Sequence, residues 1–164
     1  TCVMEGARPV LAEVQALVAP TSASNPRRTS NGFDFHRAAM LLAVLEKRAG
    51  FKLSAKDVFL NIAGGLKISD PACDLAVICA ILSSNFDLNI SPRICFAAEV
   101  GLSGELRPVG QIDRRIAEAQ RLGYKKIYIS SYNSAGEFRG KKTKGIEVVE
   151  VSNIAALCRS LFQG

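Results

Sequence analysis

The pattern of hydrophobic and polar positions is most informative between residues 57 and 82. Residues 57–63 are rich in β-branched and aromatic side chains, which predicts a buried strand. The two glycines at 64–65 permit a turn. Asp70 suits the N-cap of a helix, and Pro71 suits its first position. Residues 75–82 are apolar on every side of that helix, and we therefore expect it to lie in the centre of the fold.

The rest of the chain shows further helical and strand patterns. Helices are predicted at about 34–49, 112–122 and 153–162. Strands are predicted over 10–18, 94–100, 105–109, 126–130 and 146–151, with the fourth and fifth of them separated by a loop over 131–144. Residues 19–30 and 85–93 are predicted to be polar loops. Strands and helices mixed in this way around one buried helix are typical of a single α/β or α+β domain with a mixed sheet.

Composition limits the class of protein. The chain has 164 residues, 48% of them hydrophobic, which is enough for one domain with a real core. No apolar run reaches the length of a membrane span, and the N-terminus lacks the pattern of a signal peptide. A net charge of +6 favours an anionic partner, nucleic acid first and a membrane surface second. The same charge is also compatible with a role in solubility alone.

The cysteine and histidine content excludes several kinds of site. The five cysteines are odd in number and none forms a C-x-x-C pair, so neither a zinc site nor a disulfide framework is indicated. Cys79 and Cys95 lie in apolar runs and are predicted to be core residues, and a reducing compartment fits best. Because His36 is the sole histidine, we expect neither a histidine-based triad nor a multi-histidine metal site within this chain.

Basic residues are unevenly distributed. Between residues 103 and 144 there are ten lysines and arginines against four acids, which favours a basic face. There is no tryptophan, so phosphate contacts are a stronger expectation than base stacking. The predicted phosphate-binding residues are Arg27, Arg28, Arg37, Arg114, Arg115, Lys141, Lys142 and Lys144. The alternative is that these arginines make subunit contacts.

The order of motifs resembles the proteolytic domain of Lon. That family has G-P-S-A-G at the start of its central helix and P-x-G-G-x-K after a hairpin, and its serine and lysine form the catalytic dyad. Here the two segments are 70–74 and 101–113, with Ala72 at the nucleophile position and Asp113 at the lysine position. The resemblance implies the Lon-protease-like fold, similar to domain 2 of ribosomal protein S5, without the dyad. We therefore expect a domain that is not an enzyme.

A closer resemblance is to the Lon-like C-terminal domain of the RadA/Sms family of DNA-repair proteins. Its D-P-A-x-D-L-A, G-L-S-G-E-x-R and G-x-D-x-x-R motifs stand here at 70–76, 101–107 and 32–37, and the run at 42–48 is also similar. The resemblance implies that residues 1–164 are one domain, the C-terminal fragment of a longer RadA-type protein.

The same resemblance implies a function. The domain is expected to act as a hexamerisation scaffold and DNA-binding module for an ATP-driven branch-migration or helicase motor, and to bind single-stranded or branched DNA. ATP, Mg and Zn are implied for other domains, because this chain has neither a phosphate-binding loop nor a four-cysteine finger. The expected location is the bacterial cytoplasm or a plant organelle, with no membrane partner and no cofactor in this domain.

Two other functions remain open from the sequence. One is an active Lon-type peptidase that uses Lys67 with Ser69, or Cys73 with Lys67 or His36 as its base. Cys73 lies one residue past the nucleophile position, and one helical step turns a side chain by about 100°. The other is an oligomerisation scaffold without DNA contact. A metal pair at Asp70 and Asp74 is also conceivable, although an N-cap and a first-turn carboxylate explain both residues.

Overall fold

A computed structural model of the protein describes residues 1–135 and 145–163. It contains four α-helices within the described residues: α1 Phe35–Ala49, α2 Asp74–Phe86, α3 Ile112–Arg121 and α4 Ile154–Phe162. The described strands are β1 Cys2–Glu5, β2 Arg8–Leu11, β3 Val14–Pro20, β4 Arg28–Asn31, β5 Lys56–Ile62, β6 Ile94–Ala97, β7 Glu99–Val100, β8 Leu106–Arg107, β9 Lys126–Ser130 and β10 Glu147–Val151.

The described strands form four small sheets. Strands β1 and β2 make an antiparallel hairpin, and β7 and β8 make another. Strands β3, β5 and β4 form a mixed sheet in that order, with β3 antiparallel and β4 parallel to β5. Strands β10, β9 and β6 form a parallel sheet. The predicted α/β class is confirmed.

Helix α2 lies at the centre of the fold. It packs against β3 of the mixed sheet and β6 of the parallel sheet, and α1 packs against it as well. Its residues from Asp74 to Cys79, and then Ile81 and Leu82, are buried. The prediction of a buried central helix is confirmed, because side chains that are apolar all round require partners on every side.

A second, smaller group of apolar side chains lies beneath α3. Helix α3 packs against the β1–β2 hairpin and β6. The group is built from β1, β6, β9 and α3 and consists of Cys2, Cys95, Ala97, Ile116, Ala119, Ile127, Ile129 and Ile146. Cys95 and, in the main core, Cys79 are buried as predicted.

Glycine is required where two loops touch. Gly32 has φ +84°, and a Cβ atom there would lie 2.3 Å from the carbonyl oxygen of Leu66. The carbonyl of Gly32 also accepts a hydrogen bond from the N–H of Ile68 at 2.8 Å. The glycine of the G-x-D-x-x-R motif therefore permits the loop after β4 to approach the segment that leads to α2.

Some strand predictions were wrong in detail. The single strand predicted over 10–18 is two strands, because residues 8–11 pair with β1 and residues 14–20 pair with β5. The loop predicted over 19–30 ends in β4, and β1 was not predicted at all. Strand β4 has the sequence Arg-Thr-Ser-Asn, without apolar alternation, and its position next to β5 is a tertiary effect.

Candidate functional site

The start of α2 is the site at which a Lon-type enzyme would carry its nucleophile. A short 3-10 turn, Pro71–Cys73, precedes the helix. The Asp70 carboxylate accepts a hydrogen bond from the backbone N–H of Ala72 at 3.0 Å, so the predicted N-cap is confirmed. Proline at the first helical position has no N–H that would need a partner there.

Asp70 also binds a buried arginine. Its Oδ2 atom accepts hydrogen bonds from Nη1 of Arg115 at 2.6 Å and from the backbone N–H of Met4 at 2.7 Å. Arg115 donates further to the carbonyl of Cys2 at 3.0 Å and to that of Gly110 at 2.8 Å. The Arg115 side chain is 4% exposed. The pair therefore joins α3, β1 and the start of α2.

The hydrogen bonds around Asp70 determine its protonation. Burial alone would raise the pKa of the carboxyl group, but the hydrogen bonds from Arg115, Met4 and Ala72 outweigh it. The pKa of Asp70 is therefore held below its ordinary value. A charged Asp70 is the form that matches a buried guanidinium group.

Asp74 binds a second arginine one turn further along. Its side chain is 0% exposed and accepts hydrogen bonds from Nε of Arg37 at 2.6 Å, from Nη2 of Arg37, and from the backbone N–H of Val100 at 3.0 Å. Nη2 of Arg37 also lies 3.4 Å from Oε1 of Glu99. This pair joins α1, α2 and β7.

The Asp74 side chain is more deeply buried than that of Asp70. Burial raises the pKa of Asp74, and the hydrogen bonds from Arg37 and Val100 offset part of that increase. The hydrogen bond to Asp74 in turn raises the pKa of Arg37. The forked contact between the two side chains is that of an ion pair.

The candidate nucleophiles and bases of a peptidase have different environments. Ala72 is 0% exposed and has no nucleophilic atom, and its carbonyl accepts from the N–H of Ala98 at 3.2 Å. Cys73 is buried, and its desolvation raises the pKa of the thiol to about 12, which disfavours the reactive thiolate. Lys67, Ser69 and His36 are exposed.

No metal site is visible at the two aspartates. Both carboxylates bind arginine side chains and backbone N–H groups. Within residues 1–135 and 145–163, no group of three or more His, Cys, Asp or Glu side chains is arranged to hold a metal ion. Asp113 is half-buried in the first turn of α3.

The predicted phosphate-binding residues have different environments. Arg27 and Arg114 are exposed, and Nη1 of Arg114 donates to the carbonyl of Ala7 at 3.1 Å. Arg28 is half-buried and donates to the carbonyl of Leu53 at 2.7 Å. Three predicted residues, Lys141, Lys142 and Lys144, lie outside the described residues.

Arg115 requires a correction, and Arg37 has an acidic partner that was not predicted. The guanidinium group of Arg115 is enclosed by Asp70 and two backbone carbonyls, so this chain does not present it to phosphate. Arg37 is bound to Asp74, although its side chain is 27% exposed. Both arginines hold the start of α2 in place, and the sequence prediction missed this because the partners are far apart in the chain.

The structure adds an arginine that the sequence prediction did not include. Arg8 is exposed on β2, the strand that packs against α3. The Arg114 side chain reaches the β1–β2 turn at Ala7, next to Arg8. Arg28 begins β4 and Arg27 directly precedes it, and β4 packs on β5 and α1 instead. Arg8 and Arg114 therefore lie together in one part of the fold, and Arg27 lies in another.

The fold and this site define a Lon-like α/β domain with alanine at the nucleophile position. A protein-family model described as subunit ChlI of Mg-chelatase matches residues 24–133, which is more than half of the chain. The DNA repair protein RadA of Bacillus subtilis is 47% identical over 164 residues, which are 100% of this chain and 35% of that protein.

Two further relatives agree. The DNA repair protein RadA of Streptococcus pneumoniae is 48% identical over 159 residues, 97% of this chain and 37% of that protein. That of Listeria monocytogenes is 44% identical over 151 residues, 92% of this chain and 32% of that protein. The chain belongs to the family that the ChlI model describes and, within it, to the Lon-like domains of the RadA/Sms family. It spans about a third of the length of these relatives.

Proposed function

We propose that this chain is a non-proteolytic, DNA-contacting and subunit-assembling domain of a RadA-type DNA repair protein. The non-proteolytic role is supported by one observation at the start of α2. There Ala72 replaces a nucleophile, and both neighbouring aspartates bind arginines. The relatives are DNA repair proteins by name, which supports the role in repair. ATP, Mg and Zn belong in this proposal to domains outside this chain.

The proposed DNA contact depends on exposed cations. Arg27 and Arg114, from the predicted set, and Arg8, from the structure, are exposed on a chain with net charge +6. A guanidinium group donates in a planar fork that suits phosphate oxygens. Contacts of this kind are independent of base sequence, and we therefore propose that the domain binds single-stranded or branched DNA through its backbone.

A salt titration tests the DNA contact. For single-stranded DNA, the logarithm of the affinity falls with the logarithm of salt with a slope of roughly −0.7 for each phosphate neutralised. Arg27→Gln combined with Arg114→Gln should make the slope shallower by about 1.4, with little change in thermal stability, because both residues are exposed. Fluorescence anisotropy with a labelled oligonucleotide measures both affinity and slope.

A matched control lies on the same helix as Arg114. Arg121 is exposed, but its guanidinium group binds Glu118, with Nη2 2.5 Å from Oε1. Arg121→Gln should therefore leave the slope close to that of the unmodified chain. A double variant with an unchanged slope, or a control with an equally reduced one, would contradict the assignment of Arg27 and Arg114.

The peptidase alternative has its own assay. We expect no turnover of an unfolded protein substrate, because Ala72 has no nucleophile and burial raises the pKa of the Cys73 thiol to about 12. Turnover that disappears in Lys67→Ala or Cys73→Ala would establish a peptidase and refute this part of the proposal. Turnover that persists in both variants would point to another site or to a contaminating protease.

Assembly and location complete the proposal. We propose that the domain assembles as a homo-oligomer, a hexamer when its motor domain is attached, and that it acts in the bacterial cytoplasm. The relatives named above are bacterial, and they give no support to a plant organelle. In the described part of the chain, no helix is long and apolar enough to cross a membrane. A monodisperse monomer of the longer protein at high concentration, by light scattering, would contradict the assembly.

A further inference from the structure

A groove of about 840 Å³ is lined by residues of α2, β3 and β6. Its floor is a row of small side chains on α2 that includes Ala76, Ala80 and Ser83. Strand β3 forms one wall, and β6 with the loop over residues 87–92 forms the other. The groove is separate from the Asp70 and Asp74 sites, whose residues do not line it.

The wall formed by β3 is a strand edge with free backbone groups. Neighbouring residues of a strand direct their N–H and C=O groups to opposite sides. The backbone N–H and C=O groups of the odd-numbered residues point toward β5. Two hydrogen bonds show this: the N–H of Ala63 donates to the carbonyl of Glu13, and the N–H of Thr21 donates to the carbonyl of Ala55. The even-numbered residues therefore face the groove.

Two of the outward-pointing N–H groups already donate hydrogen bonds within the chain. At one end, the N–H of Ala12 donates to the carbonyl of Thr1 at 2.9 Å. At the other end, the N–H of Val18 donates to Oγ of Ser84 at 2.9 Å. Between them lie Val14 and Ala16, which line the groove and direct their backbone groups into it. A strand edge of this kind is a template for pairing with another extended segment.

The charge of the groove is opposite to that of the chain. Among its described lining residues, the charged side chains are those of Glu13 and Asp87, and none is lysine or arginine. The α-amino group of Thr1 also lies there and donates to the carbonyl of Ala12 at 2.8 Å. The chain as a whole has net charge +6. An acidic groove repels phosphate and attracts cations, so it is not part of the proposed DNA surface.

We propose that this groove binds an extended, lysine- and arginine-rich segment of a partner protein, which adds as a further strand along the edge of β3 at Val14 and Ala16. The backbone groups of these two residues supply the main-chain hydrogen bonds. Glu13 and Asp87 select basic side chains. The small residues of α2 and the apolar Ile94 and Phe96 receive the alternate side chains that point inward.

The test uses a fluorescent heptapeptide of alternating lysine and valine, with a matched peptide of alternating glutamate and valine. The lysine peptide should bind saturably, and the amide resonances of Val14 and Ala16 should shift in NMR spectra of the labelled chain. The glutamate peptide should not bind. Glu13→Gln combined with Asp87→Asn should weaken the binding of the lysine peptide by roughly tenfold and reduce its salt dependence.

One substitution removes a single backbone donor. Ala16→Pro deletes the outward N–H without deleting a hydrogen bond to β5, and proline is tolerated at such edge positions. It should abolish peptide binding, while Ala16→Ser, which keeps the N–H, should bind as the unmodified chain does. Urea unfolding checks that both variants fold. Both variants should also bind DNA with the unmodified salt slope. A failure of the peptide proposal can therefore be distinguished from a failure of the DNA proposal.

Four results would overturn the proposal. The first is absence of saturable binding of the lysine peptide, and the second is equal binding by Ala16→Pro and Ala16→Ser. The third is a concentration-dependent rise in mass that Ala16→Pro abolishes, because the groove would then bind a second copy of this chain. Loss of peptide binding in a longer protein containing this chain would likewise assign the groove to its own preceding segment and refute an external partner.

Discussion

The two aspartate–arginine pairs at the start of α2 differ in their access to water. Arg115 is 4% exposed and its partner Asp70 12%, whereas Arg37 is 27% exposed and its partner Asp74 0%. In the first pair the cation is the enclosed member, and in the second pair it is the anion. Removing the partner of an enclosed charge is costly, because the charge stays buried without compensation.

The two arginines also connect the start of α2 to different elements. Arg115 donates to Asp70 and to two backbone carbonyls. Arg37 has a second acidic neighbour, Glu99, and contact with solvent. The start of α2 is therefore fixed from two sides, by α3 and β1 through Arg115 and by α1 and β7 through Arg37.

The largest effect is expected for Asp70→Asn. The substitution keeps the N-cap but removes the charge that compensates the buried Arg115, so the free energy of unfolding should fall by about 3–5 kcal/mol. Asp113→Asn is the matched control, since it removes a half-buried first-turn carboxylate and should change the free energy by about 0.3–1 kcal/mol. Urea unfolding followed by circular dichroism measures both. Similar losses in the two variants would show that breaking the buried pair costs no more free energy than removing a half-buried first-turn carboxylate.

A smaller loss is expected for Arg37→Ala. Asp74 would remain buried with the N–H of Val100 as its other donor, but water can enter where Arg37 was partly exposed. We expect a loss of about 2–3 kcal/mol in the same unfolding experiment, discounted from the full cost of breaking a buried pair. Glu99→Gln should cost less than about 1 kcal/mol, because that contact is long and part-exposed. A loss in Arg37→Ala no larger than in Glu99→Gln would refute this ranking.

The smallest effect is a difference in pH dependence. Because the pKa of Asp70 lies below its unfolded value of 3.8, its contribution to stability is present above pH 3.8 and is lost as the pH falls through the folded pKa. The pKa of Asp74 is raised above 3.8, so stability decreases as the pH rises from 3.8 through that folded value. Asp70→Asn should flatten the acid limb of the stability curve, and Asp74→Asn should remove the opposing trend. Identical curves for both variants would contradict the two pKa directions.

The sequence predicted the features that depend on neighbouring residues. Asp70, Pro71 and the apolar run of α2 act within a few positions of one another, so the N-cap and the buried helix followed from pattern alone. The resemblance to RadA, carried by separated motifs, was confirmed by the relatives. The polar strand β4 was missed, because its pairing with β5 is not encoded in its own composition.

The arginine contacts show why the rest could not be predicted. Arg115 is 45 positions from Asp70, and Arg37 is 37 positions from Asp74. In sequence, Arg115 differs from Arg114 in its helical position, three residues after Ile112 and four before Ala119, on the apolar side of α3. Its partner Asp70 comes from the tertiary packing of α3 against β1 and the start of α2.

The comparison of Arg114→Gln with Arg115→Gln tests the central claim most directly. For each variant, the free energy of unfolding and the salt slope of single-stranded DNA binding are measured on the same preparation. Arg114→Gln should make the slope shallower by about 0.7 and change stability by less than about 0.5 kcal/mol. Arg115→Gln should lose about 3 kcal/mol of stability, and its folded fraction should keep the unmodified slope. An Arg115→Gln variant with unchanged stability and a shallower slope would contradict the account.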